Sequence, residues 1–251
     1  MKKILVTGSD SGLGKFLKKK FSAKGFNRKS NFSKIQNVKW NLIIHCAFNP
    51  KEPYDKNSLT KLINDNLVLS YNVSKLKGIK IFISSCSVYE NLPIKKRTEN
   101  SKIFINKKNS FYSKFKILSE SFFKDDKNTI IRLGSIIGKD MRNNTIKKIL
   151  FDKDPSLFLN KNSLYSFITY EEIFDFIKIC QTKKLKGTYN LLRADYKNLD
   201  EIVSKVFKNK NIKYGKKTFK VIKASNKKLK KYLKISKSST TVIKEFYDNY
   251  K

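Results

Sequence analysis

A tyrosine and a lysine four residues apart, Tyr112 and Lys116, are a pair in this sequence suited to proton transfer. In a helix this spacing places both side chains on one face. A tyrosine hydroxyl has a reference pKa of about 10, so it exchanges protons poorly at neutral pH until a nearby cation stabilises its phenolate. Lys116 can supply that cation. Tyr71 and Lys75 have the same spacing, which we interpret as a chance match in a chain with 51 lysines.

Hydroxyl side chains follow a predicted strand at positions 84–89, which read Ser-Ser-Cys-Ser-Val-Tyr. The apolar run before them, at 79–84, predicts a strand buried in a sheet. Open α/β sheets bind their ligands at the carboxyl ends of their strands. A hydroxyl at this position could therefore hydrogen-bond a reacting oxygen. The alternative is that these serines only satisfy backbone groups where the strand ends.

A glycine-rich turn, TGSDSGLG at positions 7–14, lies between a predicted strand at 2–7 and a predicted helix. The apolar residues of that helix recur at helical spacing from Leu13, and we expect Gly25 to end it. Glycines between a strand and a helix permit a tight turn, a close approach of backbone N–H groups to a pyrophosphate, and close helix packing. The placement predicts a dinucleotide-binding turn; a turn without a ligand is the alternative.

The residues after the second strand normally select the dinucleotide. An acidic side chain binds the ribose hydroxyls of NAD, whereas basic side chains accept the additional phosphate of NADP. Residues 25–30 contain no acid and offer Arg28, Lys29 and Ser30. They favour NADP. NAD stays as the alternative, because any short segment of so lysine-rich a chain often contains two basic residues.

Alternating strands and helices must position these residues. Apolar runs predict buried strands at 41–46, 79–84 and 129–133, and helical periodicity predicts helices at 58–77 and 110–124. Such alternation implies an α/β fold, a doubly wound parallel sheet of the Rossmann type. Beyond residue 140 we expect helices near 145–152, 171–181 and 198–208, a strand near 187–192, and a lysine-rich segment at 216–251. The sequence therefore predicts a dinucleotide-binding part, 1–140, and a smaller substrate-binding lobe, 141–251, packed on it as one interleaved unit.

Length and composition exclude several classes of protein. With 251 residues, 39% of them hydrophobic, the chain is too apolar to be disordered and long enough for a substantial core. Its 9 glycines and 4 prolines exclude a collagen-like chain. No apolar stretch approaches the roughly 18 residues of a membrane-spanning helix. The three cysteines, at 46, 86 and 180, show no metal-ligand spacing and leave one unpaired, which favours a reduced, cytoplasmic compartment.

The formal net charge of +36 would ordinarily indicate nucleic acid or an anionic surface as a partner. The excess is almost entirely lysine, which A/T-rich codons encode together with the abundant asparagine, isoleucine and phenylalanine. A base bias of the genome explains this composition without any partner. The lysines are also spread along the whole chain, without a single basic arm or an aromatic platform. We therefore expect no nucleic-acid partner.

Taken together and in order, these motifs resemble the extended branch of the short-chain dehydrogenase/reductase superfamily, which comprises sugar-nucleotide epimerases, dehydratases and reductases. The resemblance covers nearly the whole chain and rests on segments 7–14, 42–47, 83–89, 131–138, 167–173 and 187–190, with Asn66, Tyr112 and Lys116. It implies that Ser85 is the catalytic hydroxyl and Tyr112 the acid/base, and that Lys116 binds the nicotinamide ribose. It also implies dinucleotide contacts from Gly8, Ser11, Gly12, Leu13, Gly14, Ala47, Lys116 and Gly134, beside Arg28 and Lys29.

Two features depart from the family pattern. The glycines at 8, 12 and 14 have the spacing usual in the single-domain branch. Only 15 residues separate Gly25 from Asn41. A strand or a helix on the adenine side of the sheet must therefore be trimmed.

The residues after Ser85 help to choose a reaction. Dehydratases of this branch carry an Asp-Glu pair there, so dehydration is disfavoured in this chain, which has Cys86 and Ser87. Other members couple reduction to epimerisation with a Cys and a His. Here Cys86 is displaced by one position, and we interpret it as structural or cofactor-facing. The single histidine, His45, lies on a predicted buried strand, and we interpret it as a packed or backbone-bonded residue. The resemblance thus implies reduction of a keto-sugar nucleotide by NADPH or, alternatively, 4-epimerisation with tightly bound NAD.

The resemblance also implies a homodimer formed through the helices that carry Asn66 and Tyr112. Lys139, Arg142 and Arg193 are candidates for contact with a substrate diphosphate, because arginine can bind phosphate oxygens in pairs. A hypothesis of another class is a dinucleotide-binding sensor or nucleic-acid-associated protein that keeps the fold without the chemistry. The intact set of serine, tyrosine and lysine argues against it.

Overall fold

The computed structural model describes residues 3–207 and 210–249. Its strands are β1 (Ile4–Thr7), β2 (Lys24–Phe26), β3 (Leu42–His45), β4 (Ile79–Ser85), β5 (Thr129–Leu133), β6 (Ser135–Ile137), β7 (Leu164–Tyr165), β8 (Phe167–Thr169), β9 (Gly187–Leu191) and β10 (Lys197–Asn198). Its helices are α1 (Gly12–Lys20), α2 (Ser33–Gln36), α3 (Lys56–Ile63), α4 (Leu69–Lys75), α5 (Phe111–Ser121), α6 (Thr145–Phe151), α7 (Tyr170–Thr182), α8 (Leu199–Val206), α9 (Lys227–Lys230) and α10 (Ser239–Asp248). A π-helical turn, Asn64–Val68, joins α3 to α4, and short 3-10 turns cover Cys86–Tyr89 and Ile94–Lys96.

The main sheet is parallel and has the strand order β2-β1-β3-β4-β5-β9. From β1 the chain crosses first to β2 on one side and then to β3 on the other. The carboxyl ends of β1 and β3 therefore form the switch point at which such sheets bind ligands. The predicted doubly wound parallel sheet is confirmed.

Alternate side chains of the central strands supply two apolar clusters. Leu5, Ile43 and Phe82 belong to one cluster, whereas Val6 and Ile44 belong to a second, larger cluster. Successive side chains of a strand point to opposite faces, so these clusters cover the two faces of the sheet. A strand buried on both faces reads as a continuous apolar run, which is why the sequence predicted the central strands.

The structure corrects the prediction in several places. α1 ends at Lys20, and the chain turns at Ser22 with a φ of 48°, so Gly25 lies in β2 and does not end the helix. The predicted helix at 58–77 is observed as α3 and α4 with a π-helical turn between them. Asn66 therefore lies in the π-helical turn, between α3 and α4. Between β2 and β3 the chain forms α2 and adds no strand, as the short spacing predicted.

The second half of the chain builds a lobe that is continuous with the sheet. Its strand β9 pairs with β5, and β6 with β8 and β7 with β10 form two small sheets. Arg193 is buried here, where it donates to Glu172 at 2.6 Å and to the Phe167 carbonyl at 2.8 Å, and also to the Lys237 carbonyl. Its guanidinium connects segments of the lobe, and Arg193 does not line the cavity described below, unlike the candidate Arg142. Among the described residues, none of the helices has the length and apolarity needed to cross a membrane.

A buried ion pair connects α5 to the sheet. Arg132 on β5 donates to both carboxylate oxygens of Glu120, at 2.6 and 2.8 Å, and the two side chains are 3% and 2% exposed. The Ser84 hydroxyl donates to the same carboxylate at 2.6 Å, and Arg132 also donates to the Tyr89 hydroxyl at 2.6 Å. That hydroxyl lies 2.9 Å from the side-chain oxygen of Asn190 on β9. The pair thus joins one helix to three neighbouring strands.

Glu120→Gln should destabilise the protein by about 3–5 kcal/mol, because it leaves the Arg132 charge buried without its counter-charge. The matched control is Glu245→Gln, which removes a surface ion pair with Lys237 in which both partners are half-exposed. An exposed pair contributes about 0–1 kcal/mol. Urea unfolding at pH 7 measures both changes, and equal effects of the two substitutions would contradict the assignment.

Candidate functional site

A cavity of about 1300 Å³ lies at the carboxyl ends of β1, β3, β4 and β5. It is lined by nearly all of the residues that the sequence singled out as catalytic or cofactor-binding, namely Gly8, Ser11, Gly12, Leu13, Gly14, Arg28, Ala47, Ser85, Tyr112, Lys116 and Gly134. Lys29 is exposed and does not line this cavity. The fold therefore brings residues as far apart in sequence as Gly8 and Gly134 to one cavity. Lys29 lies outside it.

The glycine-rich turn leaves no room for side chains. Gly8 has a φ of 71°, and a Cβ there would lie 2.8 Å from the backbone of Ala47. A Cβ on Gly14 would lie 2.1 Å from the Gly8 carbonyl oxygen, so α1 can pack on the turn only with glycine at this position. Ser11 precedes α1 in an extended conformation, and its side chain does not cap the helix. The first N–H groups of α1 thus remain for a ligand, at the end of the helix where the dipole favours an anion.

Tyr112 and Ser85 meet at the centre of the cavity. Tyr112 lies in the first turn of α5, whose N-cap Ser110 accepts a hydrogen bond from the Ser113 amide. Ser85 ends β4, and its hydroxyl accepts a 3.2 Å hydrogen bond from the Ser87 amide. The Tyr112 side chain is hydrogen-bonded to Ser85. Burial raises the pKa of Tyr112, and the bond to Ser85 partly opposes that shift.

Lys116 lies one helical turn after Tyr112 and is buried. Its ammonium group donates to the Ile83 carbonyl oxygen at 2.8 Å and lies 3.9 Å from the centre of the Phe48 ring. Burial lowers the pKa of Lys116 to about 7, while Cys46 and Glu120 nearby act in the opposite direction. The lysine is therefore a cation that the cavity stabilises only weakly.

Several hydrogen bonds hold the loop after β3 beside Tyr112 and Lys116. Asn66, on the π-helical turn, accepts from the Asn49 amide at 2.7 Å and donates to the Asn49 carbonyl at 3.0 Å. Asp65 accepts from the Asn49 side chain at 2.8 Å. Arg142 donates to the Phe48 carbonyl at 2.8 Å. These bonds hold the Phe48 ring, which packs edge-on against Tyr112 with 5.1 Å between the ring centres.

Opposite charges meet at the end of the cavity beside β2. Arg28 is exposed and lies 3.2 Å from the Asp65 carboxylate, and Lys61 also lines this part of the cavity. An exposed pair of this kind is weak, so a phosphate could compete for Arg28. This end of the cavity can therefore hold either an additional phosphate or, at Asp65, a ribose hydroxyl.

Aromatic side chains line the cavity on the side of the second lobe. Tyr165 and Phe167 stack with 5.3 Å between ring centres, and Phe219 packs on Tyr165 at 5.0 Å. Phe219 is 38% exposed, so one aromatic surface remains for a planar ligand. The exposed Arg142 lies on the same lining.

His45 and Cys86 are structural. His45 is fully buried between hydroxyl groups, with Nδ1 2.6 Å from Thr7 Oγ1 and Nε2 2.9 Å from Ser70 Oγ. Burial lowers its pKa to about 3. Cys86 is buried with its thiol 3.5 Å from the Arg132 carbonyl, and burial raises the pKa of this thiol to about 12. Neither group lines the cavity.

Sequence patterns did not identify Phe48, Asp65 and Phe219 as site residues. Phe48 directly follows Cys46 and Ala47 at the end of a predicted strand, and that position was the available signal. Asp65 and Phe219 carry no comparable signal, because they reach the cavity only through tertiary packing.

Comparisons with known proteins establish the fold. No protein-family model and no curated protein sequence matches this chain. Among solved structures, a dTDP-4-dehydrorhamnose reductase from Bacillus anthracis in complex with NADP is similar, with 19% identity, a TM-score of 0.77, and coverage of 99% of this chain and 100% of that chain. The corresponding reductase from Clostridium acetobutylicum shows 18% identity, a TM-score of 0.77, and coverage of 99% of both chains. A mutant UDP-glucuronic acid 4-epimerase from Bacillus cereus, in complex with a fluorinated UDP-glucuronic acid and NAD, shows 15% identity, a TM-score of 0.75, and coverage of 98% of both chains.

The single histidine should stay neutral across the physiological range. The His45 pKa is lowered from 6.5 to about 3 in the folded chain, so its ring resonances in NMR should not shift between pH 8 and about pH 5. The unfolded chain takes up a proton below pH 6.5 and the folded chain does not, so stability should fall as the pH drops from 6.5 towards 3. The urea-unfolded protein is the control, with a midpoint near 6.5. A midpoint near 6.5 in the folded protein would contradict the buried environment described here.

Proposed function

We propose that this chain is an NAD(P)-dependent oxidoreductase that reduces a keto-sugar nucleotide. The premise is its fold, which it shares with nucleotide-sugar epimerases and reductases. One observation carries the proposal. Ser85, Tyr112 and Lys116 converge in the same cavity as the glycine-rich turn that opens α1. A dinucleotide-binding sensor would not need this arrangement of proton-transfer groups.

The chain's own residues fit a nicotinamide dinucleotide. The backbone at Gly8 and Gly14 excludes any Cβ, and the uncapped first turn of α1 offers N–H groups to a pyrophosphate. The cavity continues from this turn to Arg28 on one side and to Lys116 on the other. The adenosine half would lie beside Arg28 and the nicotinamide half beside Lys116.

Three side chains divide the proton chemistry. A bound nicotinamide supplies or accepts the hydride. Tyr112 holds the proton that the carbonyl oxygen needs, since burial keeps its hydroxyl protonated at neutral pH. Ser85, hydrogen-bonded to Tyr112, orients the same oxygen, and Lys116 stabilises the phenolate after the proton has left.

The aromatic and cationic groups of the second lobe support a nucleotide-linked substrate. Phe219 and Tyr165 offer ring faces to a base, and Arg142 offers a planar guanidinium to phosphate oxygens. The UDP-glucuronic acid 4-epimerase described above is in complex with a nucleotide sugar. A nucleotide sugar would place its sugar between Arg142 and Tyr112.

We infer a preference for NADP from Arg28. The guanidinium lines the adenosine end of the cavity, and its bond to Asp65 is exposed and replaceable. The alternative is a 4-epimerase that keeps NAD bound. Asp65 specifically favours that alternative, because a carboxylate on this lining could accept a ribose hydroxyl.

We also propose that the protein forms a homodimer. Apolar side chains are exposed on α3, the π-helical turn, α4 and α5, namely Ile63, Val68, Tyr71, Phe111 and Leu118. They support a homodimer formed through these helices. We further propose a cytoplasmic protein without a nucleic-acid partner, divided into a dinucleotide-binding part, 1–140, and a substrate-binding lobe, 141–251.

Tyr112→Phe should lower the turnover of a keto-sugar nucleotide by about 10²–10⁴-fold, the usual contribution of a positioned proton donor. The matched control is Tyr71→Phe, since Tyr71 and Lys75 have the same spacing but Tyr71 is 47% exposed and lies off the cavity lining. Oxidation of NADPH, followed by absorbance, measures both variants. The proposed function is wrong if the wild-type protein binds neither NADPH nor NADH, or if Tyr71→Phe and Tyr112→Phe have equal effects.

Arg28→Ala should weaken NADPH binding by about tenfold or more and leave NADH binding nearly unchanged, because only NADPH carries the phosphate that the guanidinium would bind. Lys29→Ala is the control, since Lys29 lies beside Arg28 in sequence but off the cavity lining. Fluorescence titration gives the six dissociation constants, those of the wild type and of both variants for NADPH and for NADH. Stoichiometric NAD in the purified protein, identified by native mass spectrometry, would instead favour the epimerase.

A further inference from the structure

We propose that Phe48 is a positioning residue for Lys116: the face of its ring holds the ammonium group in its charged form, beside Tyr112. The inference deepens the proposed function and rests on it in one respect, namely that the Lys116 charge assists Tyr112. The geometry itself does not depend on which substrate the site accepts.

The surroundings of Lys116 explain the need for such a group. Its ammonium donates to one carbonyl oxygen, that of Ile83 at 2.8 Å. Its other close contacts are the ring faces of Phe48, at 3.9 Å, and Phe82, at 5.1 Å. In the part of the chain that the structure describes, no carboxylate forms an ion pair with it.

The titratable groups around Lys116 offer little compensation. Cys46, at the end of β3, is a neutral thiol because burial raises its pKa to about 12. Tyr112 on α5 is protonated in the resting site, and Arg142, from the loop after β6, carries a charge of the same sign. The Glu120 oxygens on α5 already accept bonds from Arg132 and the Ser84 hydroxyl.

A ring face is an effective partner in such a place. The π face of an aromatic ring is electronegative, and its attraction for a cation is largest where water is excluded. Phe48 is the closer of the two rings, at 3.9 Å against 5.1 Å for Phe82. An aliphatic side chain at position 48 would fill similar space without this attraction.

The ring is also fixed where it can act on both catalytic groups. Arg142 holds the Phe48 carbonyl at 2.8 Å, and the next residue, Asn49, is bound twice by Asn66. The edge of the same ring contacts Tyr112, with 5.1 Å between ring centres. Phe48 thus keeps the ammonium against the tyrosine side of the cavity.

The primary test measures the titration of Lys116 itself in the full-length protein. NMR of ¹³C-labelled lysine resolves it, because burial lowers the pKa of Lys116 to about 7 and so separates it from exposed lysines. Lys116→Met identifies the signal. Phe48→Leu should lower the midpoint by about one pH unit, the size expected for the loss of a desolvated cation–π contact, and Phe48→Tyr should restore it. Phe48→Met serves as a second aliphatic variant if Phe48→Leu does not fold.

The outcomes separate this inference from the proposed reaction. If the midpoint is the same in the wild type and in both aliphatic variants, the inference is overturned, even when those variants are less stable. If the midpoint moves as expected, the basic limb of the NADPH-dependent rate should move to lower pH by the same amount. A moving midpoint in a protein without any turnover supports the role of Phe48 and refutes the proposed reaction instead.

Discussion

The position of the proposed catalytic groups depends on the buried pair between Arg132 and Glu120. Glu120 lies one helical turn beyond Lys116 on α5, and the same carboxylate binds Ser84, the neighbour of Ser85. One carboxylate therefore connects the helix that carries Tyr112 to the strand that carries Ser85. Desolvation of two charges offsets most of their attraction, so we hypothesise that the pair acts through geometry more than through net stability.

Burial shifts the pKa values of Tyr112 and Lys116 in opposite directions. It raises the pKa of the Tyr112 hydroxyl and lowers that of the Lys116 ammonium. Both shifts arise because a single charge is poorly solvated in the cavity. A phenolate next to an ammonium has no net charge, so each ion becomes less unfavourable once the other is present. In the proposed reaction, loss of the Tyr112 proton would therefore be favoured while Lys116, one helical turn further along α5, keeps its charge.

Local spacing in the sequence predicted the sheet, the glycine-rich turn and the Tyr112–Lys116 pair, because each depends on residues a few positions apart. In the structure Ser85, at the end of β4, lies beside Tyr112 on α5, the next α-helix in the chain. Arg28 and Lys29 could not be separated by sequence, since only the direction of each side chain after β2 decides which one reaches the cavity. Asp65 could not be found either, because its approach to Arg28 depends on a helix thirty-odd residues further along the chain. The sequence did not predict the short strands or α9, because a segment of only two to four residues is too short to show a measurable periodicity.

The π-helical turn at Asn64–Val68 absorbs one extra residue within the helix that runs from α3 to α4. Such a turn holds one residue more than a regular α-helical turn would, and it places Asp65 and Asn66 against the same loop. Because the wider turn takes up the extra residue, α4 keeps the facing that it would have on a regular helix, with Val73 packed in the apolar cluster of the sheet. Removal of one residue from the turn would therefore leave this packing in place and disturb the contacts with the loop instead.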